Sequence, residues 1–352
     1  MNRLQAIRPF GQRIWLDNLS RELLASGELA RLIKQDGVAG VTSNPTIFHK
    51  AISTDARYRD DLAALKARGM NAEKTYEELV IPDVRAACDM MLPVYQQSES
   101  DDGYVSLEVS PLLSHDLEGT LLSARHLWQS VGRPNLMVKI PATPEGIQAF
   151  GVLTREGINV NITLLFSLKQ VEAVWDAYIG GLRARLEDGN PLGHVKAVAS
   201  FFLSRVDSLL DPQAPEQYRG SAAISLSKVA YARYMERFHG DEFAELHKAG
   251  ARPQYLLWAS TGTKNAAYSD VLYVESLIGA ETINTVPDAT MAKFRDHGVA
   301  AATLRQDLDQ ARTVLAALTD AGIDLDAAGE KLQQDGLKLF VDSFNALLEL
   351  TA

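Results

Sequence analysis

A lysine that follows a short apolar run is the first residue in this sequence with a chemistry to explain. Residues 136–138 are Leu, Met and Val, which is typical of a short buried strand, and Lys139 comes next. Burying an ammonium group without a partner is costly, so a lysine at the end of a strand needs a reason. A partly desolvated lysine can form a Schiff base with a carbonyl compound. The plainer interpretation is an amine that reaches solvent from the strand end, and this stretch alone favours it.

The residues after Lys139 indicate where the lysine sits in the fold. Thr143 is a good helix N-cap, and Pro144 suits the first position of a helix. Lys139 is therefore predicted at the C-terminal end of a strand, where a loop leads into a helix. Folds of alternating strands and helices place their chemistry at that end.

The elements that must position this lysine alternate along the whole chain. Apolar and β-branched runs, each followed by a stretch of helical period, predict eight strands. Parallel strands follow from the alternation, and the count is that of a (β/α)8 barrel. We therefore predict one α/β barrel domain over 1–352, with additional helices at both termini and a helical segment at 288–352. The apolar face at 332–348 of that segment is expected to pack over the barrel. The strands are predicted at 12–17, 38–42, 104–109, 136–139, 157–163, 196–201, 254–260 and 281–285. A first helix is predicted after Asn18 or Ser20, with a break at 26–27 and a second helical piece that runs to Lys34, and Pro45 is suited to a helix start. The later helices before that segment are predicted at 56–68, 73–97, 116–131, 144–156, from 168 onward, about 215–239 and 269–278.

Two capping boxes are predicted at helix starts, at Thr75 and at Ser167. The main alternative architecture is a doubly wound open sheet. That fold usually carries a glycine-rich dinucleotide turn after its first strand. Here the corresponding turn is 17–20, Asp-Asn-Leu-Ser, which contains no glycine.

Polar side chains recur at or just after the predicted strand ends, and a barrel would bring them to one mouth. Each has an ordinary structural explanation alone, as a helix cap, a turn former or a solvated side chain, but the joint pattern favours an active site. These residues are Asp17, Asn44, Glu108, Lys139, Asn161, Thr163, Ser200, Arg205, Ser260 and Lys264.

Their types point to one reaction class. A protonated imine on Lys139 would act as an electron sink, so that a C–C bond next to a hydroxyl-bearing carbon can break. That step needs a base, and Asp17 and Glu108 are two candidates. Arg205 and Lys264 are suited to holding a phosphate. The residues therefore predict a Schiff-base lyase or transferase that acts on a phosphorylated carbonyl compound.

Composition narrows the class further. The chain has 352 residues and a formal net charge of −10, and it lacks a basic stripe with interleaved aromatic residues, so we expect no nucleic-acid partner. Its single cysteine, Cys88, is expected to be a buried thiol, which fits a cytoplasmic protein. The seven histidines show no metal-ligand spacing, so no metal is expected. We also expect no membrane association, because no apolar run approaches a spanning length.

Four motifs together resemble the transaldolase family, and they are spread over nearly the whole chain. The first is Gly-Val-Thr-Ser-Asn-Pro-Thr at 40–46, and the second is Val-Lys-Ile-Pro-Ala-Thr-Pro-Glu-Gly-Ile at 138–147. The third is Gly-Ile-Asn-Val-Asn-Ile-Thr-Leu-Leu-Phe at 157–166, and the fourth is Trp-Ala-Ser-Thr-Gly-Thr-Lys-Asn at 258–265. The resemblance implies a barrel enzyme of the pentose phosphate pathway that uses no cofactor. Such an enzyme moves a dihydroxyacetone unit from sedoheptulose 7-phosphate or fructose 6-phosphate to glyceraldehyde 3-phosphate or erythrose 4-phosphate.

The resemblance also implies a role for each residue. Lys139 would form the Schiff base, Glu108 would relay protons through a water held with Thr163, and Asp17 would handle the proton of the hydroxyl at the cleaved carbon. The remaining residues would bind substrate, with the phosphate at the last three: Asn44, Asn161, Ser200, Arg205, Ser260 and Lys264. Better-known members often carry arginine where this chain has Lys264.

Two other functions stay open at this point. One is an aldolase that releases free dihydroxyacetone, although small relatives of that kind place a tyrosine hydroxyl near the base position, and Glu108 favours transfer. The other is a barrel that binds sugar phosphates without catalysis, which the presence of the lysine and both carboxylates disfavours. The sequence does not separate a monomer from a homodimer.

Overall fold

A closed barrel of eight parallel strands forms the centre of this computed structural model, which describes residues 2–352. Each strand pairs with the next in sequence, and β8 pairs with β1. The prediction of a (β/α)8 barrel with a helical C-terminal segment is confirmed. The strands are β1 (Gln12–Asp17), β2 (Gly40–Thr42), β3 (Tyr104–Glu108), β4 (Leu136–Pro141), β5 (Val160–Leu165), β6 (Ala197–Phe202), β7 (Tyr255–Ala259) and β8 (Thr282–Val286).

Fifteen α-helices occur in the part of the chain described here, and most of them surround the barrel. Short 3-10 helices at Gln5–Phe10, Ala56–Tyr58, Pro111–Leu113 and Glu216–Tyr218 and a π-helical turn at Leu32–Asp36 complete the structure. None of the helices in residues 2–352 combines the length and the apolar composition that crossing a membrane requires. The helices are α1 (Arg21–Ala25), α2 (Glu28–Arg31), α3 (Pro45–Thr54), α4 (Arg59–Ala67), α5 (Ala72–Gln97), α6 (Leu117–Val131), α7 (Pro144–Glu156), α8 (Leu168–Glu187), α9 (Ser204–Leu210), α10 (Ala222–Phe238), α11 (Asp241–Lys248), α12 (Leu272–Glu275), α13 (Asp288–His297), α14 (Leu308–Asp320) and α15 (Leu325–Thr351).

Helix starts were predicted with mixed success. The capping box at Ser167 is confirmed, because its side chain accepts from the main-chain N–H of Gln170 and the Gln170 side chain accepts in return. The capping box predicted at Thr75 is wrong. Asn71 caps α5 instead, by accepting from the main-chain N–H of Lys74. Thr75 lies one turn inside that helix, and its hydroxyl donates a hydrogen bond to the carbonyl of Asn71.

Every predicted strand except the first differs from the observed strand by one to three residues at one or both ends. β2 begins at Gly40 rather than at residue 38, and β4 continues past Lys139 through Pro141. β5 spans Val160–Leu165 instead of 157–163, because Gly157 is taken up in ending α7 with a left-handed backbone (φ 86°). Helices α9 and α11 were not predicted.

One glycine is required by packing inside the barrel. The indole ring of Trp15 on β1 lies against the backbone of Gly40 on β2, and a Cβ at residue 40 would come within 2.3 Å of a ring carbon. No side chain larger than hydrogen fits there unless the fully buried indole moves. Gly40 thus allows a large aromatic residue to fill the barrel next to Thr42.

The long C-terminal helix α15 packs against α3, α5, α9 and the end of β5. Its apolar stripe is buried, as the sequence predicted for 332–348, and complete burial of each such side chain stabilises the fold by roughly 1.5–3 kcal/mol. Two glycines allow this close approach, since Gly329 packs on Ser167 and Gly336 on Leu164. The buried apolar residues are Leu332, Leu337, Phe340, Phe344 and Leu347.

Candidate active site

Lys139 is buried inside the barrel, with 5% of its surface exposed. Its side-chain nitrogen lies 3.2 Å from Oε2 of Glu108 and donates to the main-chain carbonyl of Ser43 at 3.2 Å. Glu108 is the register partner of Lys139 across β3 and β4, which is why the two side chains meet. A carboxylate and a carbonyl therefore hold the amine inside the barrel. The plainer interpretation, in which the amine reaches solvent, does not apply.

Both candidate carboxylates are close enough to this amine to feel its charge. Burial raises the pKa of Glu108 above its ordinary value, while the ammonium of Lys139 acts in the opposite direction. The same balance holds for partly buried Asp17. Burial raises the pKa of Asp17, while the charge of Lys139 and a hydrogen bond from Thr42 lower it. A neighbouring acid raises each pKa further: the charge of Asp17 raises the pKa of Glu108, and the charge of Asp288 raises the pKa of Asp17. Carboxyls with raised pKa values beside a lysine are suited to proton transfer near neutral pH.

A chain of hydrogen bonds runs beside Lys139 on its other flank. Asn161 on β5 is the register partner of Lys139. Its Nδ2 donates to Oγ of Ser106 at 3.0 Å, and its Oδ1 accepts from Oγ of Ser200 at 2.6 Å. Thr163, two residues further along β5, is fully buried, and its hydroxyl has no hydrogen-bond partner among the described residues. A buried hydroxyl of this kind is an available contact for substrate or water.

A second chain of hydroxyls orients Asp17. Thr42, its register partner on β2, donates to Oδ1 of Asp17 at 2.7 Å. The hydroxyls of Thr42 and Thr285 are 2.6 Å apart, which ties the ends of β1, β2 and β8 together. The arrangement fixes the direction of the Asp17 carboxylate.

The side chain of Asn44 uses one of its two polar groups to cap a helix. Its Oδ1 accepts from the main-chain N–H of Ile47 and so caps α3. The Nδ2 group has no hydrogen bond to the described residues, so it alone is free to contact a substrate.

The predicted phosphate-binding residues do not form one cluster. Arg205 lies in α9 beneath α15, where one guanidinium nitrogen is buried without a hydrogen-bond partner in the described chain. Burial lowers the pKa of this guanidinium, and the charge of Asp335 acts the other way. Ser260 adopts a left-handed backbone (φ 55°), and its hydroxyl lies 2.9 Å from that of Ser204.

Lys264 is exposed and lines a separate cavity of about 410 Å³, which Arg205 does not line. Arg219 lines the same cavity and has no side-chain partner among residues 2–352, although the sequence analysis did not single it out. The phosphate-binding roles of Arg205, Ser260 and Lys264 therefore stay predictions.

The residues that the sequence analysis missed include two from α15. The ring of Phe340 lies 5.6 Å from the Lys139 nitrogen, so an aromatic face shields the amine. The side-chain nitrogen of Gln333 donates to the carbonyls of Ala142 and Leu164, at 2.9 and 3.0 Å. Leu164 has a left-handed backbone (φ 64°) at an irregularity in the β5–β6 pairing, a conformation that costs on the order of 1–3 kcal/mol. Gln333 therefore joins α15 to the loop after β4 and to the end of β5.

Metal ligands are not clustered at this mouth or elsewhere in residues 2–352, where no group of three or more His, Cys, Asp or Glu side chains is placed to hold an ion. The side chains that do converge are an amine, two carboxylates, two amides and several hydroxyls. That set is suited to forming an imine with a carbonyl compound and moving protons on its hydroxyl groups.

A family model described as transaldolase/fructose-6-phosphate aldolase matches residues 14–351. The chain belongs to this family. The similarity to individual relatives extends over the whole chain. A protein from Thiobacillus denitrificans named transaldolase is 53% identical over 355 residues, covering 99% of both chains. A transaldolase from Neisseria gonorrhoeae is 50% identical over 348 residues, again covering 99% of both. A protein named transaldolase 2 from Nostoc punctiforme is 42% identical over 366 residues, covering 99% of this chain and 96% of the relative.

The contact between Gln333 and the mouth of this transaldolase-family barrel gives a prediction about stability. Replacing Gln333 by leucine leaves two carbonyls without their donor, so we expect the free energy of unfolding to fall by about 1–3 kcal/mol. Urea unfolding followed by circular dichroism measures this. The matched control is Gln334→Leu, because residue 334 is exposed on the same helix turn. Equal stabilities of the two variants would show that Gln333 does not hold α15 to the barrel.

Proposed function

We propose that the chain is a transaldolase, which moves a dihydroxyacetone unit from a ketose phosphate to an aldose phosphate through a Schiff base on Lys139. The observation that carries this proposal is the buried amine of Lys139, 3.2 Å from the Glu108 carboxylate, with a second carboxylate, Asp17, near enough to feel its charge. Full-length relatives at about half identity carry the name transaldolase, which supports the same reaction.

The first step joins the enzyme and the donor sugar. The neutral amine of Lys139 attacks the C2 carbonyl of fructose 6-phosphate or sedoheptulose 7-phosphate, and the resulting carbinolamine loses water to give a protonated imine. Glu108 is the group placed to take a proton from the amine and to return one to the leaving hydroxyl, through a water held with Thr163. Its raised pKa suits a group that must both accept and donate.

The second step breaks the C3–C4 bond. Asp17 accepts the proton of the C4 hydroxyl, the C4 oxygen becomes a carbonyl, and the bonding electrons move into the imine to form an enamine on Lys139. The aldose phosphate leaves, and an acceptor such as erythrose 4-phosphate or glyceraldehyde 3-phosphate takes its place. The same steps in reverse then form the new bond and release the product.

The positions of the remaining site residues support their proposed substrate-binding roles. Asn161, Ser200 and the free Nδ2 of Asn44 are proposed to bind hydroxyl groups near the imine. Arg205 and Ser260 are proposed to bind the phosphate, with Arg205 bringing an unpaired guanidinium nitrogen. Lys264 is also proposed to bind the phosphate, from the solvent-exposed side, because its side chain is exposed. We place the reaction in the cytoplasm and in the pentose phosphate pathway as part of the same proposal.

A product assay tests transfer directly. With fructose 6-phosphate and erythrose 4-phosphate together, we expect stoichiometric sedoheptulose 7-phosphate and glyceraldehyde 3-phosphate. With fructose 6-phosphate alone, we expect little free dihydroxyacetone, because the enamine on Lys139 reacts with an aldehyde acceptor much faster than it is released by hydrolysis. Equal rates of dihydroxyacetone release with and without acceptor would instead make the enzyme an aldolase, the other activity in the family description.

The role of Glu108 gives a prediction of its own. Glu108→Gln keeps the side-chain shape but cannot relay a proton, so we expect kcat to fall about 100-fold while the imine still forms. Steady-state kinetics together with borohydride trapping separate the two effects. Glu330→Gln, at an exposed residue of α15, is the matched control. Normal turnover in the Glu108 variant would remove this residue from the proton relay.

A further inference from the structure

A second cavity lies at the opposite end of the barrel from Lys139. Its volume is about 470 Å³, within the range of small-molecule sites. Gln12 begins β1 and Asp17 ends it, so this cavity is separated from the mouth by about 17 Å, the length of a strand of that size. Its lining residues are Leu4, Gln5, Arg8, Pro9, Gln12, Arg13, Ile14, Ile33, Lys34, Gly37, Ala39 and Asp102.

Two buried acceptors on the cavity wall have no hydrogen-bond partner among residues 2–352. Gln12 is 1% exposed and uses its side-chain nitrogen on Leu277 and Thr282, but its Oε1 accepts nothing. Asp102 is 2% exposed, and its Oδ1 accepts from Trp15. Its Oδ2 accepts no hydrogen bond and has only a distant ion-pair contact with Arg13, at 3.6 Å. Leaving such acceptors unsatisfied is unfavourable, which points to a ligand that donates N–H or O–H groups here.

The rim of the cavity has the opposite character. Arg8 and Lys34 are exposed, and neither side chain has an ion pair or hydrogen bond to the part of the chain that is described. Arg13, by contrast, is already paired with Asp101 at 2.7 Å. Two unpaired cations at one opening favour a phosphate or carboxylate group there, in a protein whose net charge is otherwise −10. Between rim and interior the wall is apolar, formed by Leu4, Ile14, Ile33 and Ala39.

We propose that this cavity binds a small phosphate-bearing molecule whose other end is a flat ring with N–H donors, the chemistry of a nucleoside monophosphate. The phosphate lies between Arg8 and Lys34, the ring lies against the apolar wall, and the ring amines donate to Gln12 and Asp102. A sugar phosphate matches the rim but would place its hydroxyl groups against aliphatic side chains. The site is distinct from the catalytic mouth, so its occupation does not depend on the reaction proposed for Lys139.

Isothermal titration calorimetry with AMP at pH 7.5 tests the proposal. We expect one saturable site per chain. The double variant Arg8→Glu/Lys34→Glu should weaken AMP binding at least about tenfold while leaving transfer activity unchanged, because both residues are exposed and far from the mouth. The matched control, Lys66→Glu/Arg68→Glu, makes the same charge change at exposed residues outside the cavity and should bind AMP as the unmodified protein does.

Two further arms test the interior and the identity of the ligand. Asp102→Asn replaces the unpartnered oxygen with a donor and should also weaken AMP binding about tenfold, with the fold checked by circular dichroism. Ribose 5-phosphate, titrated into Lys139→Met so that no imine can form, should bind the cavity much more weakly than AMP. Absence of AMP binding, or binding that the Arg8/Lys34 variant leaves intact, would overturn the proposal. Equal affinity for ribose 5-phosphate and AMP would overturn the assignment of a ring-bearing ligand.

Discussion

Replacing Lys139 by methionine is expected to lower kcat for transfer by at least about a thousandfold, the largest effect of any single substitution in this chain. Methionine has nearly the same length and packs well in a buried site, but it has no amine to form an imine. Glu108 and Asp17 would remain in place without an electron sink on which to act. Steady-state kinetics of the exchange between fructose 6-phosphate and erythrose 4-phosphate measure the loss.

The matched control for this substitution is Lys248→Met, at an exposed lysine near the end of α11. It should retain full activity. The substitution leaves the buried Glu108 carboxylate without its ion-pair partner, so circular dichroism must show that the Lys139 variant is folded before its activity is compared. A Lys139→Met enzyme with normal turnover would show that the reaction does not pass through this amine.

Asp17→Asn is expected to have the second largest effect, lowering kcat about 1000-fold. The asparagine keeps the hydrogen bond with Thr42 but cannot accept the proton of the cleaved hydroxyl. Because Asp17 acts as a base, it must be ionised in the free enzyme. Burial raises its pKa above the ordinary value of about 3.9, so kcat/KM should fall as the pH drops through that raised pKa.

The pH profile separates a catalytic from a structural role. In the Asp17 variant the acidic limb should be lost along with most of the activity, while the imine still forms and can be trapped. Asp320→Asn, at the exposed end of α14, serves as control and should keep both rate and profile. An unchanged acidic limb in the Asp17 variant would assign that limb to another group.

Much of the arrangement of the candidate site could be predicted because its residues lie at strand ends. A barrel of parallel strands brings those ends together whatever their distance in sequence, so Glu108, Lys139 and Asn161 were expected to be neighbours. The register of β3, β4 and β5 places them side by side. Ser106 could have been found by the same reasoning, since a residue two positions before Glu108 on a strand faces the same side.

Other contacts depend on packing that no local pattern encodes. The apolar stripe of α15 predicted that this helix packs over the barrel. It did not predict that Phe340 would lie near Lys139 or that Gln333 would bind the carbonyls of Ala142 and Leu164, 191 and 169 residues away. The left-handed backbone at Leu164 is also invisible in the sequence, because leucine has no preference for it. Lys264 was grouped with Arg205 by its position after a strand, yet it extends into solvent at a separate cavity.

Borohydride reduction in the presence of fructose 6-phosphate, followed by peptide mass mapping, tests whether the reaction passes through an imine on Lys139. We expect a reduced three-carbon adduct on Lys139, because the enamine left after cleavage is in equilibrium with an imine that borohydride reduces. An adduct on a different lysine, or no adduct while fructose 6-phosphate still binds, would contradict a covalent mechanism at Lys139 and leave a barrel that binds sugar phosphates without this chemistry.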